Sequence, residues 1–163
     1  MTGFSLGLRQ NPRHCWASFL ACLILLGQAW AQPRAFVLRL QPGQDLKIEL
    51  QSFTREKGLQ AAWIATCVGS LQNLRLRLAN RSEVSQFDGP FEIVSLTGTL
   101  SPDGLHLHLS ASDEAGNTRG GHLVEGNLVY TTAEIVIQEA PDLRFRRLPD
   151  PATGSSELQI TPR

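Results

Sequence analysis

The chain is poor in the residues that most simply announce a function. Its 163 residues include three cysteines, four histidines, one methionine and one tyrosine. Cys15 and Cys22 lie in an apolar N-terminal stretch, so Cys67 stands alone in the remainder and a disulfide framework is excluded. Cys67 falls within the apolar run AAWIATCVG, which makes it a small core residue rather than a reactive thiol. Charge of one sign is also missing: 15 basic residues face 15 acidic ones, with no basic excess for a nucleic-acid footprint. Internal repeats are lacking. Nowhere does an apolar run approach the roughly 20 residues of a membrane-spanning helix.

The main apolar run is Cys15–Gly27 (CWASFLACLILLG), preceded by Arg9 and Arg13 without an acidic residue and followed by Ala29-Trp30-Ala31. A basic n-region, a short apolar h-region and small residues at the cleavage positions predict a signal peptide over residues 1–31, cut before Gln32. Two other readings fit less well. The run is too short for a retained anchor, and Phe19-Leu20-Ala21-Cys22 is a poor acylation signal. Cleavage leaves 13 basic against 15 acidic residues, a net charge of about −2. The expectation is an exported protein without a stable membrane anchor, periplasmic if the source is bacterial and extracellular or in the secretory pathway if it is eukaryotic.

Residues 32–148 then form one domain, and 149–163 (PDPATGSSELQITPR) have too little apolar content for more than a flexible tail. Ala35–Leu40 reads as a strand. Asp45–Lys57 reads as a helix, with Leu46, Leu50 and Phe53 on one stripe and Gly58 at its end. Ile48 falls off that stripe, which implies cover on more than one side. Further strands are expected at Ala61–Val68, Leu74–Ala79, Phe91–Leu100, Leu105–Ala111 and Leu128–Gln138, with Leu143–Arg147 as an edge. The fold class is α+β: a mainly antiparallel sheet with one packed helix.

Against this frame the histidines stand out. Apart from His14 they fall within Leu105–Gly126, LHLHLSASDEAGNTRGGHLVEG. On a strand, Leu105, Leu107 and Leu109 share one face and His106 and His108 the other, about 7 Å apart at their Cα atoms. The turn formers of Ser112–Gly121 return the chain and bring His122 onto a neighbouring strand. Three neutral imidazoles arranged this way suit zinc or another borderline metal, with a fourth position open to water or substrate. An HxH pair can equally be a solvated polar face, and periodicity does not decide between them. Nor does it identify an acid or base: nothing fixes the direction of Asp113 or Glu125.

From about Phe36 to Arg147 the sequence resembles the plants-and-prokaryotes conserved (PPC) domain of plant AT-hook nuclear-localized proteins and stand-alone prokaryotic proteins. The residues that carry this are Pro42-Gly43 with Asp45-Leu46, Cys67-Val68-Gly69-Ser70-Leu71, Gly89-Pro90-Phe91-Glu92-Ile93-Val94, and Gly120-Gly121-His122-Leu123 running into Thr131-Thr132-Ala133-Glu134-Ile135-Val136. The resemblance implies a curved, mainly antiparallel sheet and assembly as a homotrimer. It also implies a metal unit at His106, His108 and His122, with zinc as the first expectation. Glu134, in the family's TTAE stretch, becomes a candidate for supporting or acid–base chemistry, or else a charge paired within the sheet or at the trimer interface. This chain has no Arg-Gly-Arg AT-hook, and Pro90 stands where the plant branch has an arginine used to recruit partners. No nucleic-acid partner is therefore expected. The expected function is an exported homotrimeric metal-binding module with a binding or assembly role. The alternative is a metal-dependent hydrolase, with DNA binding a distant third; substrate, small-molecule ligand and catalytic residues stay unread.

Overall fold

Alternating apolar and polar residues build most of this molecule. The computed structural model describes residues 31–163, so residues 1–30 of the expected signal peptide lie outside the described residues. The elements are β1 (Arg34–Leu40), α1 (Leu46–Glu56), β2 (Ala62–Arg77), β3 (Val84–Ser101), β4 (Gly104–Ser112), β5 (Thr118–Leu123), β6 (Val129–Glu139), β7 (Leu143–Asp150) and β8 (Ser155–Pro162). Six of the strands form one antiparallel sheet in the order β1-β6-β2-β3-β4-β5, and β5 pairs again with β2. That second pairing requires the sheet to curl until the far end of β2 meets β5. The expected mainly antiparallel sheet with one helix is what forms among the described residues.

Helix α1 starts where Asp45 caps it, its carboxylate accepting from the backbone N–H groups of Lys47 (2.9 Å) and Ile48 (3.1 Å). Leu46, Leu50 and Thr54 are buried, and the Thr54 hydroxyl is satisfied by the Leu50 carbonyl at 2.7 Å. Ile48 remains exposed, so the helix is covered along one stripe and not on the second side that Ile48 implied. The core beneath it gathers Leu71, Leu74 and Leu76 of β2, Leu96 and Leu100 of β3, Leu107 and Leu109 of β4, and Ile135 and Ile137 of β6. Cys67 lies in this core, and burial pushes its thiol pKa up to about 12, which leaves it inert.

Two elements differ from the sequence reading. The strands expected on either side of Gly69-Ser70 are one continuous β2, bent by bulges in its pairing with β3 and β6. The segment read as a loose tail contains β8, which pairs with β7 from Leu143↔Pro162 to Asp150↔Ser155. This hairpin buries Phe145 and is docked by the Phe145 N–H on the Gln60 carbonyl (3.0 Å) and by Arg146 with Asp103 at 2.7 Å. A composition low in apolar residues is sufficient here because backbone pairing and specific polar contacts hold the hairpin in place.

Glu139 is the one buried carboxylate among the described residues. It pairs with Arg34 of β1 and accepts from the Gln60 N–H at 3.0 Å, tying both strand ends together. Removing the carboxylate leaves the Gln60 N–H without its partner, while the half-exposed Arg34 turns to water. Glu139→Ala is expected to lower unfolding stability by about 1–2 kcal/mol, the cost of an unsatisfied backbone donor, measured by urea denaturation; a loss within experimental error would show that water replaces the carboxylate.

Candidate metal centre

The three histidines are brought together by strand register. In β4, Leu107 and Leu109 are buried while His106 and His108 face outward. Antiparallel pairing sets His108 directly opposite His122 of β5, and β5 in turn sets His122 opposite Arg77 of β2. Directly paired residues project to the same side of a sheet, so all three imidazoles meet on one outward face. Their ring centroids lie 4.4–5.2 Å apart, His106 stacked on His122 and His108 edge-on to both.

Two glycines permit this approach. Gly98 of β3 has φ +136, and a Cβ there would fall 2.0 Å from the His106 carbonyl oxygen. At Gly121, beside His122, a Cβ would meet the Arg77 carbonyl oxygen at 2.8 Å. Side chains at either position would push β4 or β5 outward and separate the rings.

The donor atoms fit a shared cation. One ligand atom from each of His106, His108 and His122 lies within 4.8 Å of the others. His108 Nε2 and His122 Nδ1 are 3.1 Å apart; two nitrogens bound to one tetrahedral zinc lie about 3.3 Å apart. The same separation suits a hydrogen bond between the two rings, so a cation bound there requires both facing nitrogens to be free of hydrogen. That tautomer places the hydrogen of His108 on Nδ1 and that of His122 on Nε2.

The electrostatics favour the neutral form that a metal needs. Partial burial lowers the pKa of His106, with Arg147 and His108 adding to the shift and Glu157 opposing it. Burial also lowers that of His122, assisted by Arg77 and by the other two histidines. The surroundings contain residues that sequence reasoning missed. A cavity of about 510 Å³ beside His106 and His122 is lined by Lys47, Arg77, Arg147, Ser155, Ser156 and Glu157, among others. Arg77 belonged to a visibly alternating strand, but its pairing with His122 is a long-range fact. Ser155, Ser156 and Glu157 sat in the segment read as a tail.

Other candidates fall elsewhere. Glu134 lies on β6 opposite Arg39 of β1 and Val68 of β2. Val68 is nine positions along β2 from Arg77, roughly 30 Å of strand, so Glu134 is placed as a charge within the sheet, apart from the histidines. Asp113 shapes the β4–β5 turn, accepting from the N–H groups of Ala115 and Asn117. Glu125 is exposed, and its backbone carbonyl accepts from Arg75 at 3.1 Å.

Comparison with known proteins now identifies the scaffold. The Plants and Prokaryotes Conserved domain matches residues 27–141. The chain belongs to this family. A bifunctional protein GlmU from Synechococcus sp. (strain JA-3-3Ab) is 52% identical over 127 residues, 78% of this chain. The chain spans only 20% of that relative's length. Among solved structures, a hypothetical protein from Salmonella enterica is 45% identical with a TM-score of 0.79, covering 81% of this chain and 96% of its own. A metal-containing protein from Archaeoglobus fulgidus is 26% identical with a TM-score of 0.69, covering 77% and 93%. A putative DNA binding protein from Bacteroides thetaiotaomicron, 24% identical with a TM-score of 0.69 over 77% and 91%, shares the fold.

The lowered histidine pKa values have a definite sign. Below the ordinary value of 6.5 the unfolded chain takes up protons that folded His106 and His122 still refuse. Their contribution to stability is full above that value and is lost as pH falls towards the folded pKa values. The metal-free protein should therefore melt at lower temperature at about pH 5.5 than at about pH 7.5, with a smaller drop in a His106→Gln, His122→Gln variant. An equal drop in both proteins would contradict the assignment.

Proposed function

We propose that this is an exported, homotrimeric metal-binding module whose ion, zinc first among candidates, is held by His106, His108 and His122. The observation that carries the reading is the 3.1 Å separation of two ring nitrogens from adjacent strands, with the third ring alongside. An all-imidazole donor set suits zinc and leaves a coordination position for water or a ligand. The Archaeoglobus neighbour, described as metal-containing, adds support. Purified protein is expected to hold about one zinc per chain by elemental analysis. His108→Ala should lose it while keeping its circular dichroism. Absence of zinc, with none gained on reconstitution, would remove the reading.

Exposed apolar side chains on the sheet strands favour assembly. Val37, Val68, Val94 and Tyr130 are each at least half exposed. Large apolar side chains left in water are costly where they adjoin, and subunit contact would cover them. Light scattering at micromolar concentration should give three times the chain mass; a monomer would count against assembly. Export rests on the features of residues 1–31 given above.

A second reading has one observation in its favour. The cavity beside His106 and His122 also contains Glu157, a carboxylate suited to moving a proton next to metal-bound water. In that case the domain is a metal-dependent hydrolase. When bound, the metal would lower the pKa of its water, while Glu157 would accept a proton and Arg77 and Arg147 would hold an anionic group. DNA binding has less behind it, because the residues left after leader removal carry a net charge of about −2.

A further inference from the structure

The lining of the cavity beside the histidines has a charge the chain as a whole does not. Three cations from three separate elements face it: Lys47 from α1, Arg77 from β2 and Arg147 from β7. Glu157 is the one carboxylate among the lining residues. The full sequence is balanced at 15 basic and 15 acidic residues, so this local excess is a property of the fold. Like charges gathered around one cavity raise each other's energy unless an anion sits among them.

We propose that this cavity binds a phosphate monoester, gripped by Lys47, Arg77 and Arg147. Guanidinium groups present paired N–H donors that match phosphate oxygens, and a lysine ammonium adds a mobile point charge. Ser155 and Ser156 line the same wall and supply neutral hydroxyl donors. At about 510 Å³ the space exceeds what a bare phosphate fills, leaving room for an organic substituent. Glu157 is the acceptor in this set, suited to a hydroxyl on that substituent. Its carboxylate also accepts from the Thr153 hydroxyl at 2.9 Å.

Arg147 is already oriented for the task. One of its terminal nitrogens donates to the Thr99 hydroxyl at 2.7 Å, and its backbone N–H donates to Asp103 at 3.1 Å. A guanidinium has five N–H donors, so one bond to Thr99 holds the plane and leaves others for a ligand. Arg147 and Glu157 also line a second hollow of about 260 Å³ on the His108 side, so the β7–β8 hairpin flanks His106 from both directions. These hairpin residues lie past residue 141, where the family match ends. The proposal draws on the metal-binding reading only for added positive charge; the three side-chain cations stand without it.

Titration calorimetry of the zinc-loaded and metal-free protein with phenyl phosphate, inorganic phosphate and phenol tests this. Saturable binding of one phenyl phosphate per chain is expected, tighter than inorganic phosphate, with no binding of phenol. Arg77→Gln and Lys47→Gln should each weaken it by about tenfold, as loss of one charge-assisted contact predicts. Arg147→Gln can also unseat the hairpin, so the other two variants decide. No saturable binding, or an affinity unchanged from the parent protein in both variants, overturns the proposal, as does binding of inorganic phosphate with no gain from the ester. Zinc analysis of the same samples separates the two readings: phenyl phosphate bound by a protein that takes up no zinc keeps this site and removes the metal centre.

Discussion

The arrangement of the histidine face depends on the register with which β5 sits between β4 and β2. One residue of slip would turn His122 inward and bury it against leucines, because side-chain direction along a strand alternates at every position. The register is held by apolar alternation: Leu107 and Leu109 on β4, Leu123 on β5 and Leu76 on β2 are all buried beneath the outward histidines. It is also held by close backbone contact at Gly98 and Gly121, where a Cβ has no space. Hydrophobic burial thus sets the position of polar side chains that contribute nothing to the core themselves.

The same curl that brings β5 onto β2 creates the charged surroundings. Arg77 arrives opposite His122 because β2 is a single long strand whose end meets β5. Bulges let β2 bend far enough for this without breaking its pairing with β3 and β6. Beyond the strand end, buried Asn127 locks the approach to β6. Its amide donates to the carbonyls of Arg75 (2.9 Å) and Val124 (2.7 Å), and its carbonyl accepts from the Arg75 N–H at 2.8 Å. A fully satisfied buried amide of this kind gives a loop one conformation.

The C-terminal hairpin gives the face a wall. Its contact with the body runs through Phe145, Arg146 and Arg147, residues that meet the β3–β4 end of the sheet and Gln60. The same hairpin brings Arg147, Ser155, Ser156 and Glu157 to the histidines. A candidate cation site, a cavity beside it lined by cations and a nearby carboxylate are therefore assembled from β2, β4, β5, β7 and β8 together, with Lys47 added from α1.

Local sequence determined a good deal. The HxH alternation at Leu105–Leu109, the helix capped by Asp45 and the buried character of Cys67 each depend on neighbours within a few residues, and period and capping chemistry expose them. The motifs spread from Pro42 to Val136 also identified the family before any coordinates. What only the tertiary structure decided is which distant residues share a face. The pairings of His108 with His122 and of His122 with Arg77, the distance of Glu134 from all of them, and the docking of β8 depend on long-range register. No periodicity records register, because it is set by packing between strands that are far apart in the chain.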